Sequence, residues 1–362
     1  MNQDCREIIA QFQFDGEWIH TEPFGHGHIN DTYAVYFKHM IYPPVRYILQ
    51  RINHVVFKEP LKLMENIVGV TSHIMKKTHE SESGILRIIK TIDNQDCYID
   101  PDGNYWRAYN FIDNATTYQN ATKELFFQSG VAFGRFQNQL EDYPAQTLHE
   151  SIPNFHNTRI RFEALEKAVA QDPLGRAAGV EAEIRFAMER RADTAVLVDL
   201  LAQGKLPLRV THNDTKLNNV MIDNDTGRGV CVIDLDTVMP GLSLYDFGDS
   251  IRFGASTGDE DERDLSKVEM SLDLFESFAK GYLSQACESM TQAEIDLLPF
   301  ASRLMTMECG MRFLTDYLLG DVYFKTARPA HNLDRCRTQF KLVADMEKKE
   351  KQMEAIVEKY TS

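Results

Sequence analysis

Two short stretches hold the residue types of a phosphoryl-transfer site: His212-Asn213-Asp214-Thr215-Lys216-Leu217-Asn218-Asn219, and the pair Asp234 and Asp236 in Val-Ile-Asp-Leu-Asp. In the spacing His-x-Asp-x-x-x-x-Asn, the aspartate accepts the proton of an attacking hydroxyl and the asparagine holds Mg2+. A carboxylate at the end of a short apolar strand further along supplies the grip on metal bridging the β- and γ-phosphates. ATP concentrates negative charge at one point, and transfer spreads more of it over the equatorial oxygens. Mg2+ prefers oxygen ligands and keeps some of its water, so one carboxamide and one or two carboxylates suffice. Each half alone is a common pattern, and the plain alternative is a loop of Asx-turns tying one strand to the next. Their order, with a hairpin between them, favours the phosphoryl-transfer reading.

Several elements must position these groups. Leu206-Pro207-Leu208-Arg209-Val210-Thr211 is expected as a strand carrying Asp214 into the loop at its end. Val220–Ile222 and Val230–Ile233 read as a hairpin about Asp225-Thr226-Gly227-Arg228-Gly229. If the second strand continues, Asp234 and Asp236 share a face, because side chains alternate with period two. Before residue 113 the chain reads as mixed α/β. Strands are expected around Phe24–Tyr36 and over Arg46–Arg51, a helix over Pro60–Lys77 with Leu61, Met64, Val68 and Ile74 inward, and strands over Cys97–Ile99 and Tyr105–Ile112. Beyond Asp113 long helices dominate. Leu125, Ser129, Phe133, Phe136 and Leu140 make a stripe, and further helices are expected over Ala177–Gln203, 265–286, 291–319 and 333–360. Thr291-Gln292-Ala293-Glu294 has capping-box spacing, and Gly320 suits the position just past a helix end.

At 362 residues the chain is long enough for two domains. A formal charge of −15 argues against nucleic acid or an anionic membrane as the main partner. Cysteines 5, 97, 231, 287, 309 and 336 form no CxxC pair, as expected of reduced thiols in a cytoplasmic protein. No signal peptide or stretch of bilayer length is evident. The run Asp259–Asp264 reads as a solvated loop.

Over nearly its full length the chain resembles the aminoglycoside phosphotransferase-like kinases. Within them it is most similar to the N-acetylhexosamine 1-kinases. The resemblance rests on Gly27-His28-Ile29-Asn30, Arg46–Gln50, Arg209–Asn219, Tyr245–Ser256 and Met307–Leu314. It implies an α+β, bilobal, protein-kinase-like fold, with residues 1–113 as a sheet-rich nucleotide-binding lobe and residues 114–362 as a larger helical lobe. It further implies Asp214 as catalytic base or orienting carboxylate, Asn219 and Asp234 as Mg2+ ligands, and an added metal role for Asp236. Lys216 matches the catalytic-loop lysine of protein kinases; it either neutralises the γ-phosphate or is an ordinary surface lysine. The implied substrates are ATP and a small sugar.

One position departs from the kinase pattern. The third strand ordinarily carries a Lys on the α- and β-phosphates, paired with a Glu on the next helix. Here Tyr47-Ile48-Leu49 is followed by the neutral Gln50 and then Arg51, which points to the other face of an ideal strand. Either Gln50 makes weaker contacts at the phosphates with Mg2+ and Lys216 compensating, or phosphate binding is impaired; the resemblance to the sugar kinases favours compensation, and Glu65 loses its obvious partner. The Gly25–Asn30 loop, with Gly25 and Gly27, is either an ordinary hairpin or a phosphate cover. Asn110, Phe111 and Ile112 occupy the connector whose backbone normally meets adenine. Arg312 stands at helical i±4 from Glu308 and Asp316, giving either a surface ion-pair ladder or a donor to the acceptor. Tyr323 and His28 complete the expected acceptor set.

Overall fold

The protein is described from a computed structural model covering residues 5–25, 29–39, 43–78 and 84–361. A one-turn helix α1 (Arg6–Ile9) precedes strands β1 (Glu17–Pro23), β2 (Asp31–Lys38) and β3 (Val45–Ile52). Helix α2 (Pro60–Lys77) follows, then β4 (Ile88–Ile89), β5 (Tyr98–Ile99) and β6 (Tyr105–Asn110). These strands make one antiparallel sheet in the order β1-β2-β3-β6, with β4 and β5 pairing successive parts of the free edge of β6. Alternation divides the sheet cleanly. Val35, Phe37, Tyr47, Leu49, Trp106 and Ala108 bury one face under Ile8, Ile9 and Phe12. The other face, with Ile52 and Tyr109, packs on Leu63, Met64, Ile67 and Val70 of α2. The helix has the expected bounds, and Met64, Val68 and Ile74 pack on the core as expected; Leu61 does not and is 51% exposed. Leu63, Ile67 and Val70 join Met64 as the most buried residues of this face.

The helical lobe runs through β7 (Ala115–Thr116), α3 (Lys123–Gln139), α4 (Thr158–Gln171), α5 (Glu181–Glu189), α6 (Asp193–Ala202), β8 (Arg209–Thr211), β9 (Val220–Asp223), β10 (Gly229–Val232) and β11 (Met239–Gly241). It continues with α7 (Ser243–Gly254), α8 (Leu272–Ala286), α9 (Gln292–Asp296), α10 (Leu298–Leu319) and α11 (His331–Lys359). The hairpin β9–β10 forms as expected, with β7 added at its edge. Helices α3 and α8 approach closely because Gly130 and Gly281 sit in the contact. A Cβ on Gly130 would lie 2.4 Å from the Phe278 carbonyl oxygen.

Two expected long helices are each broken. The stretch 177–203 splits into α5 and α6 where Arg190 turns to a two-pronged pair with Glu347 of α11. The stretch 291–319 breaks at Leu297, because Pro299 fits only the first turn of a new helix. The capping box on α9 forms, and Glu294 also takes two hydrogen bonds from Arg209 and one from Ser243. That single buried carboxylate ties the starts of β8, α7 and α9 together. Gly320 ends α10 in the left-handed region at φ 106°. No described helix is long and apolar enough to cross a membrane.

Candidate active site

The loop after β8 is held by its backbone. His212 stands edge-on to Phe133 and Phe136. Its Nε2 lies 2.9 Å from the Ile233 carbonyl oxygen, and the Asp214 amide lies 3.3 Å from its Nδ1. A carbonyl only accepts and an amide only donates, so a neutral imidazole with its proton on Nε2 satisfies both. Asn213 takes the left-handed conformation, φ 65°, which asparagine tolerates better than most residues. Buried Asp246, in the first turn of α7, accepts the amides of His212 and Asn213 at 2.9 and 2.8 Å and the Gln137 side chain at 2.8 Å. One turn on, Asp249 accepts the Thr215 amide at 3.1 Å, and Ser250 donates to the Thr215 carbonyl at 2.9 Å. Burial pushes the Asp246 carboxyl up, against the opposing pull of the loop amides and the Gln137 side chain. Burial acts on Asp249 too, but Arg252 and then Lys216 hold it below its ordinary value.

Asp214 is presented by this loop. Its Oδ1 lies 2.8 Å from Lys216 Nζ, with side chains 27% and 35% exposed, so both are reachable from the cleft. Burial works against the charge on Lys216, but Asp214 and Asp249 outweigh it and raise its pKa. Asn219 donates to the Asp214 carbonyl at 2.8 Å and to its Oδ2 at 3.2 Å, which directs the Asn219 Oδ1 away from Asp214. Asp234 makes no hydrogen bond or ion pair among the described residues. Crowding by protein, then the Asp236 and Asp214 carboxylates, push its pKa to about 6, although its side chain still opens to solvent at the cleft floor.

The expectation that Asp234 and Asp236 share a strand face is wrong. The strand stops at Val232, Asp234 is left-handed at φ 60°, and Leu235–Thr237 form a 3-10 turn. The two carboxylates therefore diverge. Asp236 is buried against Arg107 of β6 and accepts a hydrogen bond from Asn30. Asn219 and Asp234 thus offer unspent oxygen donors of the kind Mg2+ takes. Among the described residues no group of three or more His, Cys, Asp and Glu side chains stands ready for a metal.

On the sheet side, Gln50 donates to Thr32 Oγ1 and accepts from Arg107 Nε, both at 3.0 Å. Arg51 faces away and pairs with Asp31. Glu65, lacking a β3 partner, pairs with His149 on the exposed side of α2. Gly25 has positive φ, 77°, and open space where a Cβ would be; Gly27 and His28 lie outside the described residues. Asn110 spends its amide side chain on the backbone of Arg87 and Ile85. The Phe111 amide donates to the Arg46 carbonyl, and Ile112 is buried.

The ladder alternative for Arg312 fails. Glu308 is buried and pairs with His156 at 2.8 Å, while Asp316 accepts the amides of Val322, Tyr323 and Phe324. Arg312 instead lies among the rings of Phe155, Tyr323 and Phe324, at 5.2, 5.9 and 5.5 Å. Tyr323 is 66% exposed, so it is no core residue. The sequence reading missed Arg107, Asp246 and Asp249 as site residues. Two carboxylates at i,i+3 in the otherwise apolar run Leu242–Ile251 were a usable signal for the latter pair; Arg107 offered none.

The family model of the phosphotransferase enzyme family, APH, matches residues 20–283. The chain belongs to that family. Among solved structures it is similar to a microcompartment-associated aminopropanol kinase, with TM-score 0.61, 14% identity and coverage of 96% of this chain and 97% of that one. It is also similar to the amicoumacin kinase hAmiN in complex with AMP-PNP, Ca2+ and Ami, with TM-score 0.57, 15% identity and coverage of 93% and 91%. Choline kinase from Cryptosporidium parvum gives TM-score 0.56, 16% identity and coverage of 95% of each chain. At these identities the likeness is one of fold: an antiparallel sheet lobe joined to a helical lobe, as in protein kinases.

Proposed function

We propose that the chain is an ATP-dependent kinase that phosphorylates the anomeric hydroxyl of an N-acetylhexosamine, GlcNAc or GalNAc, to the sugar 1-phosphate. The observation that carries the transfer chemistry is Asp214, accessible from the cleft, flanked by Lys216 on one carboxylate oxygen and Asn219 on the other. Asp214 orients the attacking hydroxyl and collects its proton. The anomeric hydroxyl is more acidic than an ordinary alcohol, so positioning is the larger part of that task. Lys216 meets charge developing on the transferred phosphoryl group. Asn219 and Asp234 would hold Mg2+, which would supply positive charge to the phosphate oxygens. Asp236, already engaged by Arg107 and Asn30, is left out of the ligand set.

The acceptor half rests on Arg312. Freed from Glu308 and Asp316, its guanidinium keeps its donors for sugar hydroxyl or acetamido oxygens, and Tyr323 offers a ring beside them. Arg161 lies close enough to Arg312 to lower its own pKa, after the effect of burial. Such a cationic wall suits a neutral, oxygen-rich acceptor better than an amine. A site built to hydrogen-bond hydroxyls rejects analogues that leave its donors unpaired. The test is coupled ADP release with ATP and Mg2+ across GlcNAc, GalNAc, ManNAc, glucose, galactose, kanamycin and choline, with phosphorus NMR on the product. A sugar 1-phosphate formed best from N-acetylhexosamines is expected. Turnover confined to choline or kanamycin would overturn the acceptor assignment while leaving Asp214 in place.

A further inference from the structure

Strand β3 lacks the phosphate-binding lysine that the kinase reading calls for, and the role assigned to Arg107 rests on that reading. The missing charge stands one strand over. Thr32, Gln50 and Arg107 are directly opposite one another across β2, β3 and β6, and therefore share a face of the sheet. Ile52 and Tyr109, on that same face, pack against α2, so the row looks toward the cleft rather than the outer core.

The three side chains form a directed relay. Gln50 gives its amide hydrogen to Thr32 Oγ1 at 3.0 Å, which turns its Oε1 toward Arg107 Nε, also at 3.0 Å. A lysine at position 50 has no acceptor and could not play this part. With Nε fixed, the guanidinium fork is aimed across the lobe junction. Nη1 lies against Asp236, and Nη2 has no hydrogen-bond acceptor among the described residues. The pair is 1% and 5% exposed, yet Asp234, at the cleft floor, lies near enough to act on Arg107 electrostatically. Removing two charges from water is expensive, and a buried pair is weak evidence of a purely stabilising purpose. A planar fork with a spare donor, beside the expected metal ligands, matches two phosphate oxygens.

We propose that Arg107 is the cation that meets the nucleotide's phosphates in this chain, with Gln50 as its positioning residue and Asp236 as its counter-ion when no nucleotide is bound. The chain has thereby moved to β6 a charge that other kinases carry on β3. The rival explanation is a strut: Arg107 and Asp236 merely hold the lobes together.

Binding of ADP and of adenosine, the latter read as a competitor, separates these. Arg107→Gln alone strands the Asp236 charge and risks the fold, so the informative variant is Arg107→Gln combined with Asp236→Asn, checked by its melting temperature. ADP affinity is expected to fall about 10- to 100-fold, the value of one or two charge-assisted hydrogen bonds, with adenosine unchanged. Gln50→Leu should show the same selective loss at smaller size. Adding Gln50→Lys to the double variant returns a cation to β3 and should recover ADP binding. Equal weakening of ADP and adenosine, or no loss of ADP, would overturn the assignment in favour of the strut. Wild-type protein that binds neither ligand would instead remove the kinase reading, and this inference with it.

Discussion

The two walls of the cleft hold their charged groups by different means. On the helical side, Asp246 and Asp249 grip the amides of His212, Asn213 and Thr215, so the loop is fixed through its own backbone. On the sheet side, Asn30, Gln50 and Arg107 come from separate segments; the Gln50 side chain links to Arg107, and Asn30 and Arg107 reach across the lobe junction to Asp236 through side chains. The first arrangement sets where Asp214 sits; the second sets what charge faces it. Backbone anchoring is rigid and local. Side-chain anchoring lets one residue take over another's task, as Arg107 does beside Gln50.

The largest expected effect lies on the helical wall. Asp214→Asn removes the proposed proton acceptor and should lower kcat about 10²- to 10⁴-fold. The melting temperature should stay put, because Asp214 is partly exposed and asparagine keeps its shape and an oxygen beside Asn219. Unchanged turnover would remove Asp214 from the chemistry. A stability contrast comes next. Asp246→Ala leaves the buried donors of His212, Asn213 and Gln137 unpaired and should cost about 3 kcal/mol or more in urea denaturation. Asn30→Ala, on the sheet wall, breaks one side-chain bond to Asp236 and should cost about 1 kcal/mol. Equal costs would erase the distinction between the walls.

The same contrast explains what the sequence made legible. The His212–Asn219 loop and the β9–β10 hairpin are contiguous, and a contiguous backbone motif shows as fixed spacing. The bounds of α2, the cap on α9 and the stop at Gly320 come from local chemistry and were equally readable. Arg107 was not, because its partners stand at 50 and 236, and only register brings Gln50 opposite it. Asp234 and Asp236 misled for a related reason. Period-two alternation holds while the strand lasts, and the left-handed turn at Asp234 ends it. The ladder alternative for Arg312 came from i±4 spacing alone. Tertiary partners, His156 and the 322–324 amides, claimed the acids first.

Arg312 tests the far end of the helical wall. Arg312→Ala should raise KM for the proposed sugar acceptor about 10-fold, the loss of one good hydrogen bond to a charged donor, and leave KM for ATP unchanged. A rise in both would mean that the residue acts through the packing of Phe155, Tyr323 and Phe324 on the cleft rather than on the acceptor.

The smallest effect is expected at the connector between the lobes. Arg46 pairs with Asp113 and lies 3.9 Å from the Phe111 ring centroid, but the paired side chains are 35% and 67% exposed. An ion pair so open to water contributes less than about 1 kcal/mol, and the contact with Phe111 survives without it. Asp113→Asn should therefore shift stability by less than that, and KM for ATP by no more than about 2-fold. A 10-fold change would show that the exposed pair, and not the buried meeting of Arg107 with Asp236, sets how the sheet wall faces the nucleotide. The two walls would then differ in degree of exposure rather than in how their charges are held.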